Sequence, residues 1–98
     1  MKLLNYSNQM IEKFGSDIVL IICIEELSEL IKELCKIKRS ELYNRFISIN
    51  KLVEEISDVE ILLFELKKVF KIDEKVKNQI SKKIEFDCLK FNLNSKKE

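Results

Sequence analysis

Two short acidic runs hold the chemistry open to this chain. Glu25-Glu26-Leu27-Ser28-Glu29 has the pattern EExxE and Glu55-Ile56-Ser57-Asp58 the pattern ExxD, with 25 residues between Glu29 and Glu55. On a helix, Glu26 and Glu29 lie ~60° apart on one flank with ~4.5 Å of rise between them, and Glu55 and Asp58 repeat the relation. Glu55 is the more telling position. With Glu55 as origin of a helical wheel, Leu62 falls at about −20°, Leu66 at about +20° and Val59 at about +40°. The carboxylate therefore sits in the middle of an apolar stripe. A buried carboxylate without a partner is costly, so Glu55 must be protonated, paired or metal-bound.

An antiparallel helical hairpin would bring the two runs together. Glu29 and Glu55 are predicted to lie ~12 Å and ~15 Å from the same turn, so EExxE and ExxD come level. Repulsion among four or five converging carboxylates is about 4 kcal/mol per close pair at intermediate dielectric. A hard divalent cation removes that conflict, and all-oxygen ligands select Mg²⁺ or Mn²⁺ over zinc. Either run alone fits a solvated acidic face; their conjunction with a carboxylate inside an apolar stripe favours a metal site. The chain has no histidine, which excludes Ser–His and Cys–His nucleophilic pairs, His-rich zinc sites and a His general base. Catalysis must then run on carboxylates, lysines, thiols or a bound metal. The three cysteines (Cys23, Cys35, Cys88) form no CxxC and read as packed, reduced thiols of a cytoplasmic protein.

The elements that position these residues are helices. Ninety-eight residues allow one domain, expected over 1–91 with a polar tail at 92–98. With no Pro, no Ala and one Gly, a sandwich or barrel is excluded for want of turns. Periodicity predicts about four helices. The first runs from Leu3 to Phe14 and is closed by Gly15 at C′. The second is capped by Ser16 or Asp17 and reaches about Ile37, with a bundle seam of Leu20, Ile24, Leu27, Ile31 and Leu34. A break is predicted over Arg39 to Asn44, with Ser40 as a cap. The third helix runs from about Arg45 to Phe70, striped by Leu52, Ile56, Val59, Leu63, Leu66 and Phe70. Asp73 is predicted to cap the fourth, which carries Val76, Ile80, Ile84 and Leu89. The fold class is thus an all-α helical hairpin bundle. Because Ile18 to Ile24 is apolar around its whole circumference, its core is expected to be completed by oligomerisation, as a homodimer or homotetramer.

Net charge is +1, and the lysines of the C-terminal third are diluted by Asp73, Glu74, Glu85 and Asp87, so no nucleic-acid partner is expected. The longest apolar run, Ile18 to Ile24, has seven residues, far short of a membrane span. The N-terminus has no signal-peptide pattern.

EExxE followed by ExxD on consecutive helices resembles the MazG-like all-α nucleoside triphosphate pyrophosphohydrolases, relatives of the dimeric dUTPases and dCTP pyrophosphatases. The resemblance spans roughly Gly15 to Phe91 and rests on IEELSELIKELCK (Ile24 to Lys36) and VEEISDVEILLFELKKVFKID (Val53 to Asp73). It implies a four-helix bundle and Mg²⁺-dependent cleavage of a (d)NTP to monophosphate and pyrophosphate, in a nucleotide-pool or house-cleaning role. It also implies Glu26, Glu29, Glu55 and Asp58 as metal ligands, with Glu25 assisting the metal or the attacking water. Lys83, and secondarily Lys90, would hold phosphate. The chain departs from the family in lacking a Gly-Arg-type hairpin turn, in having Asp87 near a common Asn, and in having no tryptophan. Base stacking would rely on Tyr6, Phe14 or another Phe. The alternatives are a non-catalytic helical oligomerisation or interaction module, and an inactive family member.

Overall fold

The protein is described by a computed structural model that covers residues 2–42 and 49–94. It contains α1 (Leu3–Leu42), α2 (Ile49–Phe70) and α3 (Asp73–Lys90), with no strand among the described residues. The single glycine is where α1 changes direction. Gly15 has φ 78° and ψ 165°, a combination essentially restricted to glycine. The predicted end of the first helix is thus realised as a kink, with a second helical arm starting at once.

The break predicted over Arg39 to Asn44 is displaced. Helix α1 continues through Ser40 to Leu42, because Lys38 and Arg39 are good helix formers and no Gly or Pro interrupts them. Ser40 therefore lies inside the helix rather than capping the next one. The predicted start of the third helix at Arg45 falls outside the described residues.

The turn between α2 and α3 is built by the backbone. Lys71 adopts φ 56°; its N–H donates to the Lys68 carbonyl at 3.2 Å, and the Ile72 N–H donates to the Lys67 carbonyl at 3.0 Å. This is a Schellman ending with lysine in the place glycine usually takes. Asp73 is not the cap of α3. Ile72 holds that position without a side-chain hydrogen bond, and Asp73 is the first helical residue. Its carboxylate lies 3.7 Å from both Lys67 and Lys77, near the positive end of the helix dipole.

Helices α1 and α2 pack along each other, whereas α3 touches α2 sparsely and buries none of its residues. The pairing is antiparallel: Glu26 meets Asp58, while Cys23, one turn earlier on α1, meets Glu65, two turns later on α2. The inner surface is small and unusually acidic. Val19, Cys23, Val59 and Leu62 are its buried apolar residues, and they share it with buried Ser7, Glu33, Glu55 and Glu65. The seam predicted on the second helix lies elsewhere. Ile24 is 64% exposed and Ile31 62% exposed, and Leu27 and Leu34 are exposed too. The buried residues of this arm sit about 100–180° round the helix from Ile24. On α2, likewise, Ile56, Leu63 and Phe70 are exposed while Val59 and Leu62 are buried. Among the described residues the structure is all-α, with three helices, and its hairpin keeps a second apolar face on its outside. None of the described helices is long and apolar enough to cross a membrane.

Candidate metal centre

The hairpin brings three of the five motif acids together. Glu26 comes from the second arm of α1 and Glu55 and Asp58 from α2, and one carboxylate oxygen of each lies within 4.8 Å of the others. Burial grades across the group: Glu55 is 5% exposed, Glu26 half-buried and Asp58 exposed. The serines inside the two motifs leave these carboxylates alone. The Ser28 hydroxyl donates to the Ile24 carbonyl at 2.9 Å, and the Ser57 hydroxyl to the Val53 carbonyl at 2.7 Å.

The mutual repulsion of the cluster is offset in two ways. Burial pushes the Glu26 carboxyl up, and Asp58 raises it further through its charge and by accepting a hydrogen bond from the protonated form. Glu55 and Glu29 add smaller repulsions. Lys51, one turn before Glu55, places Nζ 3.1 Å from Glu55 Oε1 and 3.4 Å from Glu54. These two carboxylates push the ammonium up in return. Glu55 Oε2 remains buried with no hydrogen-bond partner. A set of oxygen donors from two helices, with an unsatisfied lone pair in an apolar setting, fits a hard divalent ion.

The other predicted site residues are placed differently. Glu29 is close enough to act on the charge of Glu26 but is exposed and outside the convergent group. Glu25 is exposed and also outside it. Both follow from helix geometry, since only one flank of α1 faces α2. Lys83 lies on α3 in a shallow groove with Gln79, Lys82, Phe86 and Asp87, not beside the acidic cluster. Lys90 is exposed, its ammonium 5.3 Å from the centre of the Phe91 ring. Of the three cysteines, Cys23 is buried, Cys88 half-buried and Cys35 exposed, so the expectation of packed thiols fails for Cys35.

A half-open groove of about 180 Å³ runs from Glu26 and Asp58 between the helices, and Tyr6 and Met10 of the first arm line it. Tyr6 is thus near the acids, whereas Phe14 is exposed beneath the Lys13 ammonium. The far part of the groove holds a residue the motif reading passed over. Glu65 is 2% exposed, and burial pushes its carboxyl up. The thiol of Cys23 opposite is pushed up by burial and then by the charge of Glu65. The signal was its spacing, seven residues after Asp58, which puts the two side chains within ~20° of each other on α2.

Fold and site together define an all-α protein with a convergent carboxylate site in a helical hairpin. No protein-family model, characterised protein or solved structure matches the chain.

Proposed function

We propose that the protein is a Mg²⁺-dependent nucleoside triphosphate pyrophosphohydrolase of the MazG-like kind, cleaving a (d)NTP to (d)NMP and pyrophosphate, with Mn²⁺ as an alternative ion. The observation that carries this reading is Glu55. Its carboxylate is almost fully buried, its Oε2 is unpartnered, and it converges with Glu26 and Asp58. A surface built only for packing is weakened by such a residue, whereas a divalent site needs it. Glu26, Glu55 and Asp58 would hold the ion, with Glu29 reaching in from the next turn. When bound, the ion supplies positive charge that neutralises the triphosphate and polarises the anhydride. Glu25, next to Glu26 and open to solvent, would take the proton of the attacking water. Lys83, on a face of α3 apart from the groove, would reach the phosphates only from a second copy of the chain.

The same reading includes a homodimer or homotetramer. The exposed row Ile24, Ile31 and Leu34 on α1 and the row Ile56, Leu63 and Phe70 on α2 are the faces a second copy would cover, completing a four-helix bundle. A house-cleaning role in the nucleotide pool follows from the resemblance, and a cytoplasmic location from the reading of the cysteines as reduced thiols.

The test is a panel of canonical and modified (d)NTPs incubated with Mg²⁺, with products separated by chromatography. Monophosphate and pyrophosphate are expected from at least one substrate, and EDTA or Glu26→Gln should abolish them. No turnover across the panel overturns the enzymatic reading. Light scattering that returns a monomer overturns the oligomeric one.

A further inference from the structure

The groove that begins at the carboxylate cluster ends on Glu65, between the first arm and α2. Glu65 lies two helical turns beyond Asp58, ~10.5 Å along α2 and on nearly the same flank. Between them the walls are chiefly apolar, with Met10, Ile22, Ile61 and Leu62, and the Tyr6 ring closes one side. About 180 Å³ is room for a single heterocycle rather than a whole nucleotide. A triphosphate held at the Glu26–Asp58 end would therefore project its base, about 10 Å away, toward Glu65.

We infer that Glu65 is the specificity-determining residue of this groove, its carboxylate accepting hydrogen bonds from the exocyclic amino group of an amino-bearing base. The inference rests on the nucleotide reading above and adds to it which bases are accepted. A carboxylate offers only acceptors, so it pairs with an amino group. In uracil or thymine the exocyclic position is a carbonyl oxygen that cannot donate to it, and the ring N3–H beside that oxygen is the only donor left on that edge. Mismatch of this kind rejects a ligand far more strongly than a missing methylene does. Among the described residues no cation is paired with Glu65. The amino group of the ligand would supply a donor to it.

The cleanest probes are the non-hydrolysable α,β-imido triphosphates of deoxycytidine and deoxyuridine, whose bases differ by one amino-for-oxo exchange and the accompanying ring proton. Calorimetric titration of the full chain with Mg²⁺ should show the cytosine analogue binding at least about tenfold tighter. In Glu65→Gln, whose amide both donates and accepts, the ratio should collapse to within about twofold, mainly by tighter binding of the uracil analogue. Mn²⁺ affinity should stay unchanged in that variant. Glu65→Leu, checked for folding by circular dichroism, should also level the ratio and serves if the glutamine variant does not fold. Equal binding of the two analogues by wild type, or an unchanged ratio in the variants, overturns the inference and leaves the nucleotide reading standing. Binding of neither analogue while Mn²⁺ still binds overturns both.

Discussion

Replacing Glu55 with Leu should make the metal-free protein more stable and remove its response to divalent cations. Glu55 is 5% exposed, its Oε2 has no partner, and its neighbours on the buried face are Val59 and Leu62. An unsatisfied buried polar group costs about 1–3 kcal/mol. A buried leucine side chain contributes about 1.5–3 kcal/mol. Opposing both is the loss of the Lys51–Glu55 pair, with Lys51 half-exposed, worth at most about 1 kcal/mol. The balance is a gain of roughly 2 kcal/mol or more, which in a chain of this size raises Tm by on the order of 10 °C. Wild type should instead be stabilised by the ion, by about 2.7 kcal/mol at a hundredfold excess over Kd. The assay is thermal unfolding followed by circular dichroism, with and without millimolar Mg²⁺, at one protein concentration. E55L should melt above wild type without Mg²⁺ and show no shift with it. A variant that melts lower without the ion, or that keeps the wild-type shift, refutes the reasoning.

Three further outcomes are expected. Lys51→Met removes the cation that occupies Glu55 Oε1 at 3.1 Å, so Mn²⁺ binding measured by paramagnetic resonance should tighten severalfold, while metal-free stability falls by about 1–3 kcal/mol because Glu55 is left buried without its cation. The folded state holds the Glu65 carboxyl above its ordinary value of 4.5, so between 4.5 and the raised value it binds more protons than the unfolded state. Its contribution to stability therefore grows as pH falls through that window and declines as pH rises. Cys23 faces Glu65 from α1, and Glu26 and Asp58 share its groove. The contribution is isolated by comparing denaturant midpoints: the wild-type midpoint should rise relative to that of Glu65→Gln on acidification from neutral pH. Gly15→Ala should lower stability by about 1–3 kcal/mol through backbone strain at positive φ, because an added Cβ meets nothing within 4 Å; a melting temperature equal to wild type would contradict this.

Much of the hairpin and its acids was legible in the sequence. The wheel position of Glu55 announced its burial, because a carboxylate between Val59 and Leu62 has nowhere else to go. The lone glycine announced the kink, since no other residue type adopts its backbone angles cheaply. The antiparallel hairpin does bring Glu26 to Glu55 and Asp58, but the count of turns does not hold, because α1 runs past the predicted break to Leu42 and Glu29 lies outside the group. What failed did so for identifiable reasons. Ser40 and Asp73 look like caps, but capping depends on where the neighbouring backbone stops being helical, and side-chain type does not fix that. The seam through Ile24 and Ile31 was real as an apolar stripe, yet periodicity does not say which of two apolar faces a single chain buries. Glu65 was missed because it belongs to no motif. Its spacing from Asp58 and its place beside the predicted stripe were the available clues.

The sparse attachment of α3 has a consequence for cooperativity. A helix of 18 residues that buries none of them is held in the single chain by little more than its own backbone ladder, and such helices are marginal in water. Its amides should exchange with solvent through local opening at a small fraction of the free energy needed to open α1 and α2. If other copies cover α3, its protection becomes dependent on concentration, and all-or-none unfolding is then a property of the assembly rather than of the chain.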